Sequence, residues 1–207
     1  MLFNKKLAII IPAYNEEKTL KNVVLKCMKL GNIIVINDCS SDKSFEILNK
    51  INSKKLEILN NRYRLGYDGS LNKGINLSKS ELIARLDADD YALPQRLEKQ
   101  ITFMEQHPKV VLCGSRFKEL VGGGIFSQKV QFLEQDKDIR KAISCFNPFS
   151  HSTTMIRKAV FTKIGGYNKI FEYSQDYDLW IRLLNVGEAS ILKEELVIVR
   201  LAEQSTS

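Results

Sequence analysis

Three carboxylates fall within four residues at Asp87, Asp89 and Asp90, where the stretch ELIARLDADD ends. Charges of one sign this close repel, and solubility does not require them at one point. A chemistry that does is the holding of a hard divalent cation. Mg²⁺ and Mn²⁺ take oxygen ligands, often one or two carboxylates completed by phosphate oxygens of a substrate. On a continuing strand Asp87 and Asp89 would share a side, with Ala88 turned away. The competing reading is a solvated Asx turn leading into a helix that Pro94 helps to start.

Two more polar stretches follow apolar runs: Pro12-Ala13-Tyr14-Asn15 after LAIII, and Asn37-Asp38 after NIIVI. Tyr14 can stack on a flat ring, and Asp38 can accept from a base N–H or a ribose hydroxyl. The plainer alternatives are a helix entrance capped by Asn15, and a simple turn at Asp38. Asp176 stands ahead of a stretch with Leu179, Trp180, Leu183 and Leu184 at helical spacing. A carboxylate there can serve as a general base, although by itself it reads more simply as the helix N-cap. Trp180 reads as core.

These residues are positioned by alternating elements. Strands are expected at LAIII (7 to 11), NIIVI (32 to 36), LEIL (56 to 59), ELIARL and VVLCG (110 to 114). Helices are expected after Leu20, after Ser40-Ser41-Asp42, near 70 to 78, and around Leu97, Ile101 and Met104. Strand–helix alternation with continuous apolar strands argues for an α/β fold, a mostly parallel central sheet with helices on both faces. In such sheets ligands bind beyond the carboxyl ends of the strands, where all three polar stretches fall. Past 115 the pattern loosens, with helical signals at 136 to 145, 157 to 164 and 176 to 186 and a last strand near 190 to 200. Gly122-Gly123-Gly124 is a flexible point or a tight turn; neither GxGxxG nor GxxxxGK[ST] occurs. The reading is one domain, 1 to 207, with halves 1 to 115 and 116 to 207.

Composition narrows the class. The chain has 207 residues, 44% hydrophobic and 27% charged, with a net charge of +7, the balance of an ordinary globular domain. No apolar run approaches the roughly 18 residues of a membrane span, and the N-terminal run lacks a signal-peptide cleavage site, so a cytoplasmic protein is expected. Its positive charge suits peripheral work at the anionic inner face of a membrane. The basic residues are dispersed, without the dense patch of a nucleic-acid binder. Cys27, Cys39, Cys113 and Cys145 form no CxxC pair and are expected to be buried reduced thiols.

IIIPAYNEE, VINDCSSD, NRYRLGYDGSLNKGI and ARLDADD, in this order and spacing, resemble the donor-binding half of inverting family 2 glycosyltransferases of the GT-A fold. The resemblance continues through NPFSHSTTMIRK, IGGY and SQDYDLWIRLL. It implies a GT-A-like single domain that moves a sugar from a nucleotide-diphosphate donor, expected to be UDP-linked, to a hydroxyl of a glycan or lipid-linked acceptor. Pro12, Ala13, Tyr14 and Glu17 would line the base and ribose pocket, and Asp38 would bind the base. Gly66, Asn72 and Gly74 match a donor-side segment. Asp87, Ala88 and Asp89 would lie against the sugar nucleotide. Asp89, with Asp87, would hold a divalent metal, Mn²⁺ or Mg²⁺, and Asp90 would be their neighbour. Asp176 would be the catalytic base. His151, Gln175 and Arg200 would lie on the acceptor or diphosphate side, with a structural hydrogen-bonding role as the rival for His151.

The chain departs from the family pattern at three points. Asn37 replaces an aspartate, Gln175 replaces a glutamate, and Arg200-Leu201-Ala202 lacks a histidine after the arginine. With the end at Ser207, a C-terminal truncation and a minimal family member both remain open. Two other classes compete with the transferase: a non-catalytic nucleotide-sugar binder, and a sugar nucleotidyltransferase, against which the missing phosphate loop counts.

Overall fold

The computed structural model describes residues 7–127, 133–171 and 173–201. They form two compact units. The first holds the residues up to Ser80 with the short stretch 166–171, and the second holds Glu81–Gly165 and the residues from Tyr173 on. The division comes at Ser80, earlier than the point near 115 where the regular alternation stops in the sequence.

In the first unit, β1 (Ala8–Ala13), β2 (Asn32–Asn37) and β3 (Leu56–Asn60) pair in parallel in that order. The helices are α1 (Leu20–Cys27), α2 (Ser44–Asn49) and α3 (Gly66–Leu77). Alternation along the strands sends side chains both ways. Ile9, Ile11, Ala13, Ile33, Val35, Leu56 and Ile58 gather with Leu20 and Val24 of α1 and Leu48 of α2. Ile10 and Ile36 face the opposite way, onto α3, where a Cβ on Gly74 would come within 2.4 Å of Ile10 Cγ2. Glycine is what allows that helix to lie so near the sheet. Both faces of this sheet are thus covered, as its unbroken β-branched runs imply.

The second unit contains β4 (Leu82–Ala84), β5 (Tyr91–Ala92), β6 (Val110–Val121), β7 (Gly124–Ser127), β8 (Met155–Arg157) and β9 (Glu188–Arg200). Its sheet runs β4-β8-β6-β9-β5, with β7 beside β6. Only β6 and β9 pair in parallel; the other pairings are antiparallel. The α/β class and the flanking helices therefore agree with expectation, while the parallel pairing is concentrated in β1 to β3 and in the β6–β9 pair. Gly122 and Gly123 both have positive φ, 54° and 81°, and turn β6 tightly into β7, as a two-residue hairpin loop of the primed type requires. The remaining helices are α4 (Arg96–Gln106), α5 (Asp136–Ala142), α6 (Lys158–Lys163) and α7 (Gln175–Leu184). All four cysteines are free, but only Cys113 is buried and Cys39 and Cys145 are exposed. Burial was the wrong expectation for those two, because both sit in loops.

α4 departs most from its apolar pattern. Leu97 and Ile101 are only partly buried, and the fully buried positions are Arg96, Gln100 and Met104. Arg96 is 1% exposed and is held by neutral oxygens, with the charge of Asp90 also acting on it. Its Nη2 donates to the carbonyls of Arg85 (2.7 Å) and Thr154 (3.1 Å), and its Nε donates to Gln100 Oε1 (3.0 Å). Gln100 in turn donates to the carbonyls of Cys113 and Thr153. Burial pulls the Arg96 guanidinium down to about 10, which leaves it charged at neutral pH. Substituting Arg96→Met keeps much of the volume but takes the donor from the Arg85 carbonyl and from Gln100 Oε1, while the Thr154 carbonyl keeps the Arg85 N–H. At about 1–3 kcal/mol for each such group, the variant is expected to lose about 2–5 kcal/mol in urea unfolding with an unchanged m value. A loss below about 0.5 kcal/mol would show that the clamp is dispensable.

Candidate functional site

In the first unit the carboxyl ends of β1, β2 and β3 are knitted together by polar side chains. Asn15, with φ of 54°, donates its N–H to Ser40 Oγ and accepts from the Ser41 N–H at Oδ1. Glu16 N donates to Ser44 Oγ, and Glu17 N donates to Asp42 Oδ2. Glu17 Oε2 accepts from Lys43 N at 3.1 Å. Asn15 therefore ties the two loops and does not cap α1, which begins only at Leu20. Pro12 and Ala13 close β1, and the Ala13 carbonyl accepts from the Asp38 N–H. Tyr14 is 38% exposed, and the Arg64 guanidinium lies 3.9 Å from its ring centroid, a cation–π plate open to solvent.

Asn37 is buried, donating to Asn60 Oδ1 and accepting from Ser40 Oγ, both at 2.6 Å. An amide can do both; a carboxylate could not donate to Asn60. Asp38, 4% exposed, accepts from Asn61 Nδ2 and Leu65 N at Oδ1 and from Gly66 N at Oδ2. Burial opposes its charge, but these bonds and one from Ser70 outweigh burial and hold the carboxyl below the usual carboxylate range. Asp38 thus pins the loop ahead of α3 and the N-terminal end of that helix, where an anion is favoured. Gly66 has φ of 76° and open space where a side chain would stand. Asn72 has a structural job: it donates to the Tyr167 carbonyl and accepts from the Tyr167 N–H. Beyond β3 lies a cleft of about 420 Å³ lined by Asn60, Asn61, Arg62, Tyr63, Leu65 and Lys73. Lys73 Nζ donates to Asn61 Oδ1 there, at 2.5 Å.

In the second unit β4 stops at Ala84, and Asp87–Asp90 is a turn closed by a hydrogen bond from Asp90 N to the Asp87 carbonyl, at 3.2 Å. The strand-side pairing of Asp87 with Asp89 is therefore replaced by the turn reading. The three carboxylates have different surroundings. Asp87 pairs with Arg85; its Oδ2 accepts from Ser152 Oγ, and its N–H donates to the same oxygen, both at 2.9 Å. Asp90 Oδ1 accepts from the Arg200 N–H at 2.8 Å, fastening the end of β9. Asp89 is exposed and makes no hydrogen bond or ion pair among the described residues. Ala88, at the tip of the turn, is exposed too. The Arg200 guanidinium donates to Tyr91 Oη at 3.1 Å; Ala202 lies outside the described residues.

Among the described residues no three His, Cys, Asp or Glu side chains converge on a metal position. A hard cation that takes one or two protein carboxylates and fills its shell from phosphate and water nevertheless fits Asp89, with Asp87 beside it.

Asp176 lies in the first turn of α7 behind Ser174, the N-cap residue with φ of 60°. It is not the N-cap. Its Oδ1 accepts from Tyr177 N at 2.8 Å, and its Oδ2 accepts from Asn147 Nδ2 at 3.0 Å. Gln175 precedes it, half-buried. Trp180 is fully buried, as a core residue should be. His151 begins a 3-10 turn, His151–Thr153, with its ring edge-on to Trp180 at 5.8 Å. Burial, and then the charge of Arg85, bring it down to about 4 against the opposing pull of Asp87 and Asp176. It is neutral at physiological pH.

Residues 8–175 match the model of glycosyl transferase family 2. The chain belongs to that family. A Haemophilus influenzae glycosyltransferase is 30% identical, covering 97% of this chain and 67% of its own length. The amylovoran biosynthesis glycosyltransferase AmsE of Erwinia amylovora is also 30% identical, over 87% of this chain and 70% of its own. Escherichia coli WfaP, a UDP-Glc:alpha-D-GlcNAc-diphosphoundecaprenol beta-1,3-glucosyltransferase, is 29% identical over the same shares. The crystal structure of S. aureus TarS 1-349 aligns with a TM-score of 0.67 at 20% identity, covering 95% of this chain and 60% of that one; it supports the fold.

For this family 2 glycosyltransferase, sequence reasoning missed Arg85, Asn147, Ser152, Asn61 and Arg64. All five stand inside the motifs that carry the resemblance, but nothing in their spacing shows which partner each meets. Asp38 yields a direct expectation. Replacing it by Asn points an amide at the Leu65 or Gly66 N–H and should cost about 1–3 kcal/mol at neutral pH. The folded carboxyl is held below its unfolded value of about 4, so its stabilisation is complete above that pH and fades as pH falls through the lower folded value. The gap between wild type and Asp38→Asn in thermal melts should therefore narrow in acid. A gap constant from pH 7 to pH 2.5 would refute the linkage.

Proposed function

We propose that the chain is a metal-dependent, inverting hexosyltransferase that moves a sugar from a UDP-linked donor to a hydroxyl of a glycan or lipid-linked acceptor. The carrying observation is the unequal commitment of the aspartates in the Asp87–Asp90 turn. Two are engaged by Arg85, Ser152 and Arg200, and Asp89 is left open. Such a carboxylate suits Mn²⁺ or Mg²⁺ carried with a diphosphate, and the bound ion would neutralise charge on the departing group. The likeness to AmsE, an amylovoran biosynthesis glycosyltransferase, supports a place in polysaccharide biosynthesis, and the likeness to WfaP supports a UDP-sugar donor and a lipid-diphosphate-linked acceptor.

The residues then divide the work. The Tyr14–Arg64 plate and the cleft beyond β3 supply stacking and polar contacts for the nucleoside. Asp38 shapes those loops from within. Asp89, with Asp87, would hold the metal, and Arg85 adds a cation beside them. Asp176 takes the proton from the acceptor hydroxyl as its oxygen bonds to the anomeric carbon. The bond from that carbon to the diphosphate breaks, and its electron pair leaves with the nucleoside diphosphate. A single displacement inverts the anomeric centre. A general base supplies about 10²–10⁴-fold. No helix among the described residues is long and apolar enough to cross a membrane, and the +7 charge favours work at an anionic cytoplasmic membrane face.

The test measures UDP release from a panel of UDP-sugars with Mn²⁺, with and without lipid-linked acceptors. Asp176→Asn and Asp89→Ala are each expected to lower turnover by at least about 10²-fold. Robust release insensitive to both would overturn the site. Tight donor binding in calorimetry with no release from any donor would mark a nucleotide-sugar binder instead.

A further inference from the structure

Asp176 is held by a neighbour that no family motif singles out for the task. Asn147 spends both ends of its amide: Nδ2 donates to Asp176 Oδ2 at 3.0 Å, and Oδ1 accepts from the Phe149 N–H at 3.2 Å. The turn that carries it is anchored from below. Phe149 is 5% exposed, its ring centroid is 5.8 Å from that of Trp180, and it fills the space above Gly114, where a Cβ would fall 2.8 Å from Phe149 Cδ1. Trp180 belongs to α7, the helix whose first turn carries Asp176. A second tie runs back from that turn, since Tyr177 Oη donates to the Ile143 carbonyl. The Asn-Pro-Phe turn and the start of α7 are thus fixed to each other on the apolar side and joined by Asn147 on the exposed side.

The residue type matters. A base must keep a lone pair free and aimed while the rest of its carboxylate stays still. A lysine at 147 would tie up the carboxylate in an ion pair. An aspartate would repel it. A neutral amide, itself oriented by Phe149 N–H, holds one oxygen without adding charge to the site.

We propose that Asn147 is a positioning residue for Asp176, holding Oδ2 so that the carboxylate faces the acceptor hydroxyl in one rotamer. This rests on the reading of Asp176 as the base. UDP-release kinetics on the full chain, with Mn²⁺ and the best donor of the panel, test it. Asn147→Ala is expected to lower kcat about 10- to 10²-fold with donor KM within about twofold. Asn147→Asp, equal in size but with an acceptor facing the carboxylate, should lose at least as much. Should the alanine variant fail to fold, as judged by circular dichroism, the aspartate variant carries the measurement. In a double-mutant cycle, adding Asn147→Ala to Asp176→Asn should cost less than about twofold more. An equal loss in both backgrounds would show a merely structural role, and an unchanged kcat in either single variant would refute the positioning role. Wild-type turnover by Asp176→Asn alone would instead remove the base reading on which the proposal stands.

Discussion

A buried guanidinium held by neutral oxygens governs the second unit. The Arg96 guanidinium replaces its water shell with two main-chain carbonyls and one amide oxygen, a substitution tolerable only if each is held in place. The carbonyls belong to Arg85, just past β4, and to Thr154, just before β8. One side chain therefore sets the spacing between the segment leading to the aspartate turn and the segment carrying His151 and Ser152. Gln100, one helical turn on, extends the grip to Cys113 and Thr153. The two-point contact between Ser152 and Asp87 depends on that spacing.

The crowded carboxylates follow from this frame. Three aspartates in one turn would repel strongly if all were equivalent, and they are not. Arg85 sits against Asp87, and the Arg200 N–H against Asp90, so the local charge is partly matched before any ligand arrives. Asp89 is left exposed. His151, kept neutral by burial and by Arg85, adds no further cation. Asp38 follows the opposite rule in the first unit. It is buried, saturated by donors and held ionised, and it works as a strut for the loops around it.

Much of the fold was legible. The β-branched runs at 7 to 11, 32 to 36 and 56 to 59 became β1, β2 and β3 nearly residue for residue, because continuous apolar strands demand cover on both faces. α7 was equally clear from Leu179, Trp180, Leu183 and Leu184, all now buried. Pairing direction in the second unit was not. A three-residue strand such as Leu82–Ala84 carries too little pattern to choose between parallel and antiparallel neighbours, and β4 takes β8, far along the chain. α4 misled for another reason. Its apolar residues are only part of the inward face, and Arg96 and Gln100 point inward because the carbonyls awaiting them come from other segments: Arg85, Cys113 of β6, Thr153 and Thr154.

The sequence alone determined the family, the α/β class and the candidate residues, since ordered motifs and hydrophobic period are properties of the linear chain. Only the tertiary structure decided which partners each of those residues meets. Asn37 is a buried bridge, Asn72 clamps Tyr167, and of the aspartates in one short turn two are engaged by other elements and Asp89 is exposed. A carboxylate's role is set by the donors that reach it, and those donors lie on other elements whose approach no spacing rule encodes.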